Sequence, residues 1–321
     1  MRAILVNELG GPEVLSPTDR PDPAPGPGEV LVAVRAAGVN FIDTYFRSGL
    51  YQRPLPYIPG NEGAGEILAV GEGVTDRKVG QRVAWCDGAG SYAEQAALPA
   101  DRVLPVPPGV PDEVAGSSLL RGLTANYLLD GSARPQPGDT VLVHAGAGGV
   151  GLLLTQWATS RGIRVITTVS TEEKAELSRE AGAALVLEYG DDLADRVRAF
   201  TDGAGAHVVY DGVGAATFEQ SLAACAVRGT VVVFGAASGP VPPFDLQRLN
   251  PLGSLSVTRP TLAHFIADGT EFERRAAEFF GAVADGVLTP RVGQSYPLDD
   301  AARAHRDLQA RGTTGATVLI P

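Results

Sequence analysis

The sequence contains few cysteines. Its 321 residues include two, Cys86 and Cys225, which lie far apart along the chain. Two distant cysteines exclude the disulfide framework of small secreted proteins and are typical of a reducing compartment. We therefore expect a cytoplasmic protein.

Long apolar runs are also missing, although 44% of the residues are hydrophobic. No segment reaches the roughly 18 uninterrupted apolar residues that a membrane-spanning helix needs. The N-terminal sequence MRAILVNELGG contains an apolar run that is too short for a signal peptide. The sequence therefore predicts no association with a membrane.

Positive charge is scarce, and lysine is scarcer still. The chain has 26 basic and 37 acidic residues, so its net charge is −11. All of the basic residues are arginines except Lys78 and Lys174. Because such a chain repels phosphate backbones, its charge argues against a nucleic-acid partner.

The shortage of histidine limits metal binding. The histidines are His144, His207, His264 and His305, so the β-rich first part of the chain contains none. A catalytic zinc ion needs about three nitrogen or sulfur ligands from the protein, and that part offers only Cys86. Two cysteines are also too few for a four-cysteine structural zinc site. We therefore expect no bound metal.

Residues 1 to about 120 have the pattern of a β-rich domain. Glycine and proline separate short segments in which apolar residues alternate with polar ones or form brief runs. The predicted strands cover residues 1–8, 29–36, 64–70, 82–85 and 91–97. Short strands of this kind are typical of a compact barrel or sandwich.

The pattern changes near residue 112, where a helix at 112–129 begins an alternation of strands and helices. The predicted strands cover 140–144, 165–169, 184–189, 207–211 and 230–234, and the helices cover 149–161, 172–181, 191–200 and 217–227. This alternation predicts an α/β domain, a doubly wound parallel sheet with helices on both faces. An edge strand at 254–258, helices near 262–286 and at 299–310, and a strand at 317–320 complete the prediction.

The length of the chain and this change of pattern predict two domains. Residues 1–122 and 262–321 are assigned to the first domain, because the last strand is expected to return to it. Residues 123–261 are assigned to the second.

The segment AGAGGVG contains the pattern G-x-G-x-x-G through Gly146, Gly148 and Gly151. The pattern is loose, and its context carries the interpretation, because it follows the apolar strand TVLVH and opens the helix GLLLTQWA. Glycine permits a tight turn and a close approach of phosphate to the helix N-terminus. The sequence therefore predicts a dinucleotide site here, although a glycine turn without a ligand would have the same pattern.

The tip of the second strand of this domain indicates which dinucleotide binds. Binders of NAD place a carboxylate there for the ribose 2′-hydroxyl, whereas this strand ends in Ser170 and Thr171, with Lys174 following. A hydroxyl and a lysine suit a 2′-phosphate, so we predict NADPH. The alternative is that Ser170 and Glu173 form a capping box and that Lys174 is a solvated surface residue.

The segment PGNEGAGEI at 59–67 resembles the medium-chain dehydrogenase/reductase superfamily, whose zinc alcohol dehydrogenases have Gly-His-Glu where this chain has Gly60, Asn61 and Glu62. Over nearly the whole chain the sequence is similar to the zinc-independent quinone oxidoreductases, the zeta-crystallin group. The stretches that carry the similarity are NFIDTYFRSGLY, RGLTANYLL, HAGAGGVG, VYDGVG and SLSVTRP. Bacterial members often have alanine at the position of Gly146, a departure that should not disturb binding.

The resemblance implies a GroES-like β-rich catalytic domain and a Rossmann domain, with the cofactor between them. It also implies a set of cofactor-binding residues, namely Asn40, Thr124, Gly148, Gly149, Val150, Ser170, Lys174, Tyr189, Val213, Phe234, Gly235 and Arg311. The implied substrate-binding residues are Phe41, Tyr51 and Arg259. Members of the family are commonly homodimers that pair edge strands, for which residues 230–234 or 254–258 are the candidates.

A site without metal favours substrates that are already electrophilic, such as quinones and α,β-unsaturated carbonyls. Hydride transfer from NADPH to a quinone is the expected reaction, and a one-electron route through a semiquinone stays open. The developing oxyanion needs a donor, for which Asn40 and Tyr45 are the catalytic candidates, with Tyr45 as proton donor. Alternatively, Tyr45 and Tyr51 are aromatic walls, and water or the cofactor ribose supplies the proton.

Three other functions remain open at this point. The chain could be an alkenal or enone reductase, an NADPH-binding crystallin-like or RNA-binding protein, or a zinc alcohol dehydrogenase. Several polar or reactive residues have structural interpretations instead. We expect His144 to be a structural hydrogen-bonding residue, Cys225 to lie in the core on a helix, and Cys86 to be buried or to line the cleft. Asp211 is expected to cap a turn, and Asp43 to cap a helix or lie on the surface.

Overall fold

The structure, a computed structural model, describes residues 1–88 and 90–321. The chain forms two compact units. The first consists of Met1–Arg121, Ala276–Ala284 and Pro290–Pro321, and the second of Gly122–Arg275 and Asp285–Thr289.

Residues 262–275 lie in the second unit, whereas the sequence assigns them to the first domain. Local contacts hold them there. The guanidinium of Arg275 donates a hydrogen bond to the side chain of Asn126. The ring of Phe265 stacks on Tyr127 with 4.4 Å between the ring centroids. The division of function between the two units remains a prediction.

The first unit is built on a mainly antiparallel sheet, and its last strand returns to it as predicted. The strands are β1 (Arg2–Leu5), β2 (Ser16–Asp19), β3 (Glu29–Val39), β4 (Glu62–Val70), β5 (Arg82–Cys86), β6 (Gln95–Pro99), β7 (Leu104–Pro105), β14 (Val292–Pro297) and β15 (Ala316–Ile320). The order in the main sheet is β14-β15-β3-β4-β5-β7, with β6 also paired to β3. β1 and β2 form a separate antiparallel pair.

Along the first part of strand β3, buried side chains alternate with partly exposed ones, as the sequence predicts. Val30, Val32 and Val34 are buried, while Leu31 and Ala33 between them are half-buried. This alternation is expected of a strand with one face on the core. It stops after residue 36, because residues 37–39 are buried whichever face of the sheet they point to.

The helices of the first unit position its polar side chains. They are α1 (Phe41–Ser48) and α9 (Ala301–Gln309), and α2 (Asp112–Tyr127) and α8 (Gly269–Ala284) contribute residues to both units. Helix α1 was not predicted as an element, although Asp43 was expected to cap a helix or lie on the surface. The helix starts after Asn40, whose backbone N–H donates to the Asp43 carboxylate at 2.8 Å, and it ends at Gly49 with a φ of 82°, a conformation that glycine adopts at low cost.

The second unit contains the predicted parallel sheet. Its strands are β8 (Thr140–Val143), β9 (Arg164–Val169), β10 (Leu185–Glu188), β11 (Ala206–Asp211), β12 (Cys225–Val233) and β13 (Ser256–Thr258), in the order β10-β9-β8-β11-β12-β13. The helices between them are α3 (Gly149–Ser160), α4 (Glu172–Glu180), α5 (Leu193–Phe200) and α6 (Phe218–Ala224), and α7 (Leu262–Phe265) follows the last strand. All five strand pairs are parallel, which confirms the predicted α/β class.

Two predictions about β12 are wrong. The helix predicted for 217–227 ends at Ala224, and Cys225 begins the strand because it pairs with Ala206 of β11. Cys225 is buried, as predicted, but not in a helix. Residues 230–234 also offer no sheet edge, because β12 lies between β11 and β13. The edges of this sheet are β10 and β13.

Within the described residues, no helix combines the length and the apolar character needed to cross a membrane.

Candidate functional site

The glycine turn connects β8 to α3, as the sequence predicts. Gly148 precedes the helix, which begins at Gly149. The N–H of Gly146 donates to the carbonyl of Thr168 on the next strand at 2.9 Å and holds the turn against the sheet. The first N–H groups of a helix have no acceptor within it and carry a partial positive charge. The turn therefore presents the N–H groups of Gly149 and Val150 to an anion.

The three glycines of the pattern have different roles. A Cβ on Gly151 would lie 2.4 Å from the carbonyl oxygen of Ala145, and one on Gly146 would lie 2.5 Å from Cβ of Thr167. A Cβ on Gly148 would meet only the Ala145 oxygen, at 3.1 Å, so the space beside Gly148 is otherwise open. Gly146 has no room for a side chain in this chain, because Thr167 fills the space that a Cβ would need.

The tip of β9 brings the predicted hydroxyl and lysine together. The Nζ of Lys174 donates to Oγ of Ser170 at 3.3 Å. Helix α4 is capped by Thr171, whose Oγ1 accepts from the backbone N–H of Lys174, so the proposed capping box at Ser170 is wrong. The nearby carboxylate of Glu172 pairs with Arg179 at 2.7 Å, which offsets its repulsion of a phosphate. An exposed hydroxyl and an ammonium group thus lie together at this tip.

Tyr189 links the next strand tip to the glycine turn. Its hydroxyl oxygen accepts a hydrogen bond from the backbone N–H of Ala145 at 3.0 Å. Its ring lies almost parallel to that of His144, with 6.1 Å between the centroids. Tyr189 therefore lies beside the glycine turn, as expected for a residue of the predicted cofactor site.

His144 is a structural residue, as predicted. It is buried, and burial lowers its pKa. The hydroxyl of Ser221 donates to the Asp211 carboxylate at 2.7 Å, so its oxygen accepts from Nε2–H of His144 at 3.0 Å. Nδ1 is then left to accept from the hydroxyl of Thr168 at 2.9 Å. The three side chains resemble a catalytic triad in composition only, because the carboxylate contacts the serine and not the histidine.

Asp211 caps the turn after β11, as predicted. One carboxylate oxygen accepts from the N–H groups of Val213 and Gly214, both at 2.9 Å. The hydroxyl of Thr217 donates to the same carboxylate at 2.8 Å. The backbone N–H of Phe234, just after β12, donates to the carbonyl of Asp211 at 2.9 Å. Val213 and Phe234 are thereby held at the carboxyl edge of the sheet, where parallel sheets bind their ligands.

The remaining residues that were predicted to contact the cofactor or substrate lie in separate places. Gly235 follows β12, and a Cβ there would lie 2.3 Å from the carbonyl oxygen of Gly212. Arg259 is exposed after β13. Thr124 is buried in α2 within the second unit, and Arg311 is exposed after α9 in the first unit. Their roles stay predictions.

The aromatic residues predicted around the substrate gather on α1 and just after it. Tyr45 and Tyr51 are half-buried and meet edge to face with 5.4 Å between their ring centroids. Tyr51 also contacts the ring of Phe46 at 5.8 Å. Phe41, at the start of the helix, is half-buried. The first unit therefore carries a small aromatic cluster next to the buried Asn40.

A buried carboxylate holds Asn40 in position. Oε2 of Glu62 accepts from Nδ2 of Asn40 at 2.9 Å, and Oε1 accepts from the backbone N–H of Leu120 at 2.6 Å. The guanidinium of Arg121 lies 3.3 Å from the same carboxylate, and both side chains are buried. Burial raises the pKa of Glu62 to about 7, while Arg121 and the donated hydrogen bonds oppose that rise. The second N–H of the Asn40 side-chain amide does not take part in this network.

Asp43 is the centre of a second buried network. Its carboxylate accepts from Nδ2 of Asn61 at 2.5 Å, from the backbone N–H of Asn40 at 2.8 Å and from the hydroxyl of Tyr92 at 3.2 Å. Burial raises its pKa to about 6. Oδ1 of Asn61 then accepts from Nη2 of Arg53 at 3.0 Å. The capping role predicted for Asp43 is confirmed, whereas a surface position is wrong.

His305 joins this network from 262 residues further along the chain. Arg47 has only donors, so Nδ1 of His305 accepts from its Nη1 at 3.1 Å, and the proton of the neutral ring is on Nε2. Nε2–H then donates to the oxygen of Tyr92 at 3.1 Å, whose hydroxyl donates to Asp43. No role was predicted for Arg47, Tyr92 or His305, because no local pattern in the sequence indicates that these three residues meet.

Replacing His305 by glutamine is expected to make stability less sensitive to acid. Burial and the charge of Arg47 lower the pKa of His305 to about 3, so between pH 6.5 and 3 the unfolded chain binds a proton that the folded chain does not. Through this group, the free energy of unfolding of the wild type should therefore fall by about 1.4 kcal/mol for each pH unit below 6.5. Denaturant unfolding at pH 7.5 and 5.0 should show a smaller loss in the variant.

The carboxyl of Asp43 has a raised pKa and contributes a pH dependence of the opposite sign. The comparison with the variant is therefore needed to isolate the histidine. Equal acid sensitivity in the wild type and the variant would contradict the assignment of a neutral, buried His305.

The residue that occupies the zinc-histidine position has another role here. Asn61 bridges the Asp43 carboxylate and the Arg53 guanidinium. The thiol of Cys86 is buried, which raises its pKa and disfavours the thiolate that binds metals. Among residues 1–88 and 90–321, no group of three or more histidine, cysteine or carboxylate side chains could hold a metal ion. The residues present therefore do not fit a catalytic zinc.

Known protein families match both parts of the chain. The alcohol dehydrogenase GroES-like domain matches residues 26–108, and the zinc-binding dehydrogenase family matches residues 149–282. The second family takes its description from zinc, although the residues around Asn61 do not fit that metal.

Similarity to individual proteins extends over nearly the full length. A quinone oxidoreductase of Pseudomonas aeruginosa is 48% identical over 97% of either chain, and a 2-haloacrylate reductase of a Burkholderia species is 40% identical over 99% of this chain and 98% of its own. A mycobacterial protein solved in complex with NADPH is 57% identical, covers all of both chains and superposes with a TM-score of 0.97. The chain therefore belongs to the quinone oxidoreductases of the medium-chain dehydrogenase/reductase superfamily.

Proposed function

We propose that this chain is an NADPH-dependent reductase of quinones. The observation that carries the proposal is the tip of β9, where the Lys174 ammonium lies on the Ser170 hydroxyl at 3.3 Å beside a dinucleotide-type glycine turn. No carboxylate takes the place of these two groups, so the tip suits a 2′-phosphate better than a 2′-hydroxyl. The 57% identity to a protein solved with NADPH supports this cofactor. The 48% identity to a quinone oxidoreductase supports the substrate class.

The second unit would hold most of the cofactor. The N–H groups at the start of α3 would bind the pyrophosphate, and Gly148 leaves room for it. Ser170, Lys174 and Tyr189 would surround the 2′-phosphate. The other proposed cofactor contacts are Thr124, Gly149, Val150, Val213, Phe234, Gly235 and Arg311.

When bound, NADPH supplies the hydride, and the side chains of the first unit orient the acceptor and stabilise the developing charge. Asn40 would donate its remaining amide N–H to the substrate oxygen, because its other N–H is held by Glu62. Tyr45 would donate the proton, and Phe41, Tyr51 and Arg259 would complete the substrate site. If Tyr45 is only an aromatic wall, Tyr45→Phe will retain full activity.

Replacing Lys174 by alanine tests the cofactor preference. We expect kcat/KM for NADPH to fall about 10- to 100-fold, as for the loss of a charge-assisted hydrogen bond, while kcat/KM for NADH changes little. Steady-state kinetics with 1,4-benzoquinone and both cofactors will measure the two values.

The chain contains its own matched control for this experiment. Lys78 is the only other lysine and lies in an exposed loop of the first unit. Lys78→Ala should leave both cofactors unaffected. Equal losses of NADPH and NADH activity in Lys174→Ala would refute the contact with the 2′-phosphate.

A reductase of α,β-unsaturated carbonyls is the second candidate. The specific observation in its favour is the 40% identity to a 2-haloacrylate reductase over nearly the full length. Turnover of an alkenal and of 1,4-benzoquinone at a fixed NADPH concentration will separate the two functions.

We further propose that the protein is a cytoplasmic homodimer. Both cysteines are buried and free, which suits a reducing compartment. Strand β13 forms one edge of the parallel sheet, and pairing of two copies along this edge would make the dimer. Light scattering of the wild type and of a Val257→Pro variant, which disrupts the edge, will test it.

A further inference from the structure

The guanidinium of Arg53 is held in place on two sides. Its Nη2 donates to Oδ1 of Asn61 at 3.0 Å. Its Cζ lies 4.0 Å above the centroid of the Phe46 ring and 5.4 Å from that of Tyr57. These contacts fix the plane of the guanidinium before any ligand arrives.

The other terminal nitrogen of Arg53 has nothing to bind. Nη1 is buried and has no hydrogen-bond partner in the part of the chain that the structure describes, and the same is true of the hydroxyl of Tyr57. A buried polar group without a partner is costly, and more so when it is charged. Two such groups on neighbouring side chains therefore indicate a place for an external acceptor.

The charges around Arg53 show which acceptor fits. Asp43 is separated from it by the bridging amide of Asn61, and Asp87 lies 3.8 Å from Arg102. No ion pair to Arg53 occurs among residues 1–88 and 90–321, so its positive charge is not directly matched. An anion would therefore be bound more strongly than a neutral oxygen, and a planar carboxylate suits the planar guanidinium.

The position of Arg53 connects it to the proposed substrate site. Its partner ring Phe46 contacts Tyr51, and Tyr51 contacts Tyr45. The unpaired nitrogen of Arg53 therefore lies beside the aromatic cluster of the first unit that contains Tyr45, the proposed proton donor.

We propose that Arg53 binds the carboxylate of a conjugated acid, so that α,β-unsaturated carboxylates belong to the substrate range of this enzyme. The inference rests on the proposed reductase function. In this reaction the β-carbon of the double bond takes the hydride of NADPH and the α-carbon takes a proton from solvent. The products are the saturated acid and NADP⁺.

Binding of a saturated acid tests this site without turnover. Calorimetry on the NADPH-bound protein will compare 2-chloropropionate with the neutral 2-chloropropionamide. We expect the wild type to bind the acid more tightly, and Arg53→Gln to weaken the acid about 10-fold or more without changing the affinity for the amide. Arg53→Lys keeps the charge but not the planar geometry, so it should show a smaller loss in the same direction.

Arg35→Gln is the matched control. Arg35 is an exposed arginine of the same unit, 3.9 Å from Glu66, and its loss should change neither affinity. The proposal is overturned if the wild type binds acid and amide equally, or if Arg53→Gln and Arg35→Gln affect the acid alike. If Arg53→Gln does not fold, an undiminished acid affinity in Arg53→Lys overturns it.

A separate measurement distinguishes failure of this site from failure of the proposed function. Turnover of 1,4-benzoquinone and 2-chloroacrylate by the wild type tests the reductase. If neither is reduced but the acid binds in an Arg53-dependent way, the carboxylate site stands and the reductase function falls.

Discussion

Alanine at Gly151 is expected to lower the free energy of unfolding by about 3 kcal/mol, the upper range for an overpacked core, and to abolish NADPH binding. Its Cβ would lie 2.4 Å from the carbonyl oxygen of Ala145 and 2.9 Å from Cα of Gly146. Both are backbone atoms and cannot rotate away, so α3 would have to move off the sheet. The displaced helix would no longer present its N–H groups to the pyrophosphate.

Urea unfolding and a fluorescence titration with NADPH will measure the two effects. Gly281→Ala in α8 is the matched control, because its added Cβ would meet nothing within 4 Å. Removing an unneeded glycine from a helix should stabilise it by about 0.5–1 kcal/mol. If Gly151→Ala is as stable as this control and binds NADPH normally, the tight packing of the glycine turn is refuted.

Alanine at Glu62 is expected to cost about 3–5 kcal/mol, the usual cost of removing one partner of a buried ion pair. Arg121 would keep its buried charge without a carboxylate, and the backbone N–H of Leu120 would lose its acceptor. Asn40 would also lose the contact that orients its amide. We therefore expect impaired catalysis together with lower stability, measured by urea unfolding and by kcat/KM for 1,4-benzoquinone.

The same strand provides the control for this substitution. Glu66 lies four residues after Glu62 on β4 and is partly exposed. Its carboxylate lies 3.9 Å from the guanidinium of Arg35. Glu66→Ala should cost less than about 1 kcal/mol, as expected for a surface pair. A double variant with Arg121→Ala should lose less than the sum of the single losses, because no buried charge is left unpaired. Additive losses would show that the pair is not coupled.

These two substitutions affect the two units for different reasons. The glycine turn depends on the absence of a side chain. Glu62, by contrast, belongs to a buried network in which every polar group needs a hydrogen-bond or charge partner. That network links Asn40 to Glu62, and Asp43 links Asn40 to Asn61 and Arg53. The polar residues proposed to face the substrate are thereby held by buried carboxylates.

The sequence was sufficient for features that depend on local periodicity. The alternation of strands and helices after residue 112 gave the parallel sheet, because each element buries a face with its own spacing. The spacing of the glycines predicted the turn before α3. The residue types at the end of β9 predicted a hydroxyl and Lys174 there. Even here, the end of α6 at Ala224 was missed, because pairing of Cys225 with β11 prevails over its helical pattern.

Only the tertiary structure decided which distant residues meet. His305, Tyr92 and Asp43 are brought together from three separate segments, and the unpaired nitrogen of Arg53 becomes visible only when all of its neighbours are in place. Sheet order likewise turned the predicted edge at 230–234 into an interior strand. Local spacing determines which face of an element is apolar, but burial, charge matching and hydrogen-bond satisfaction depend on contacts between residues far apart in the chain.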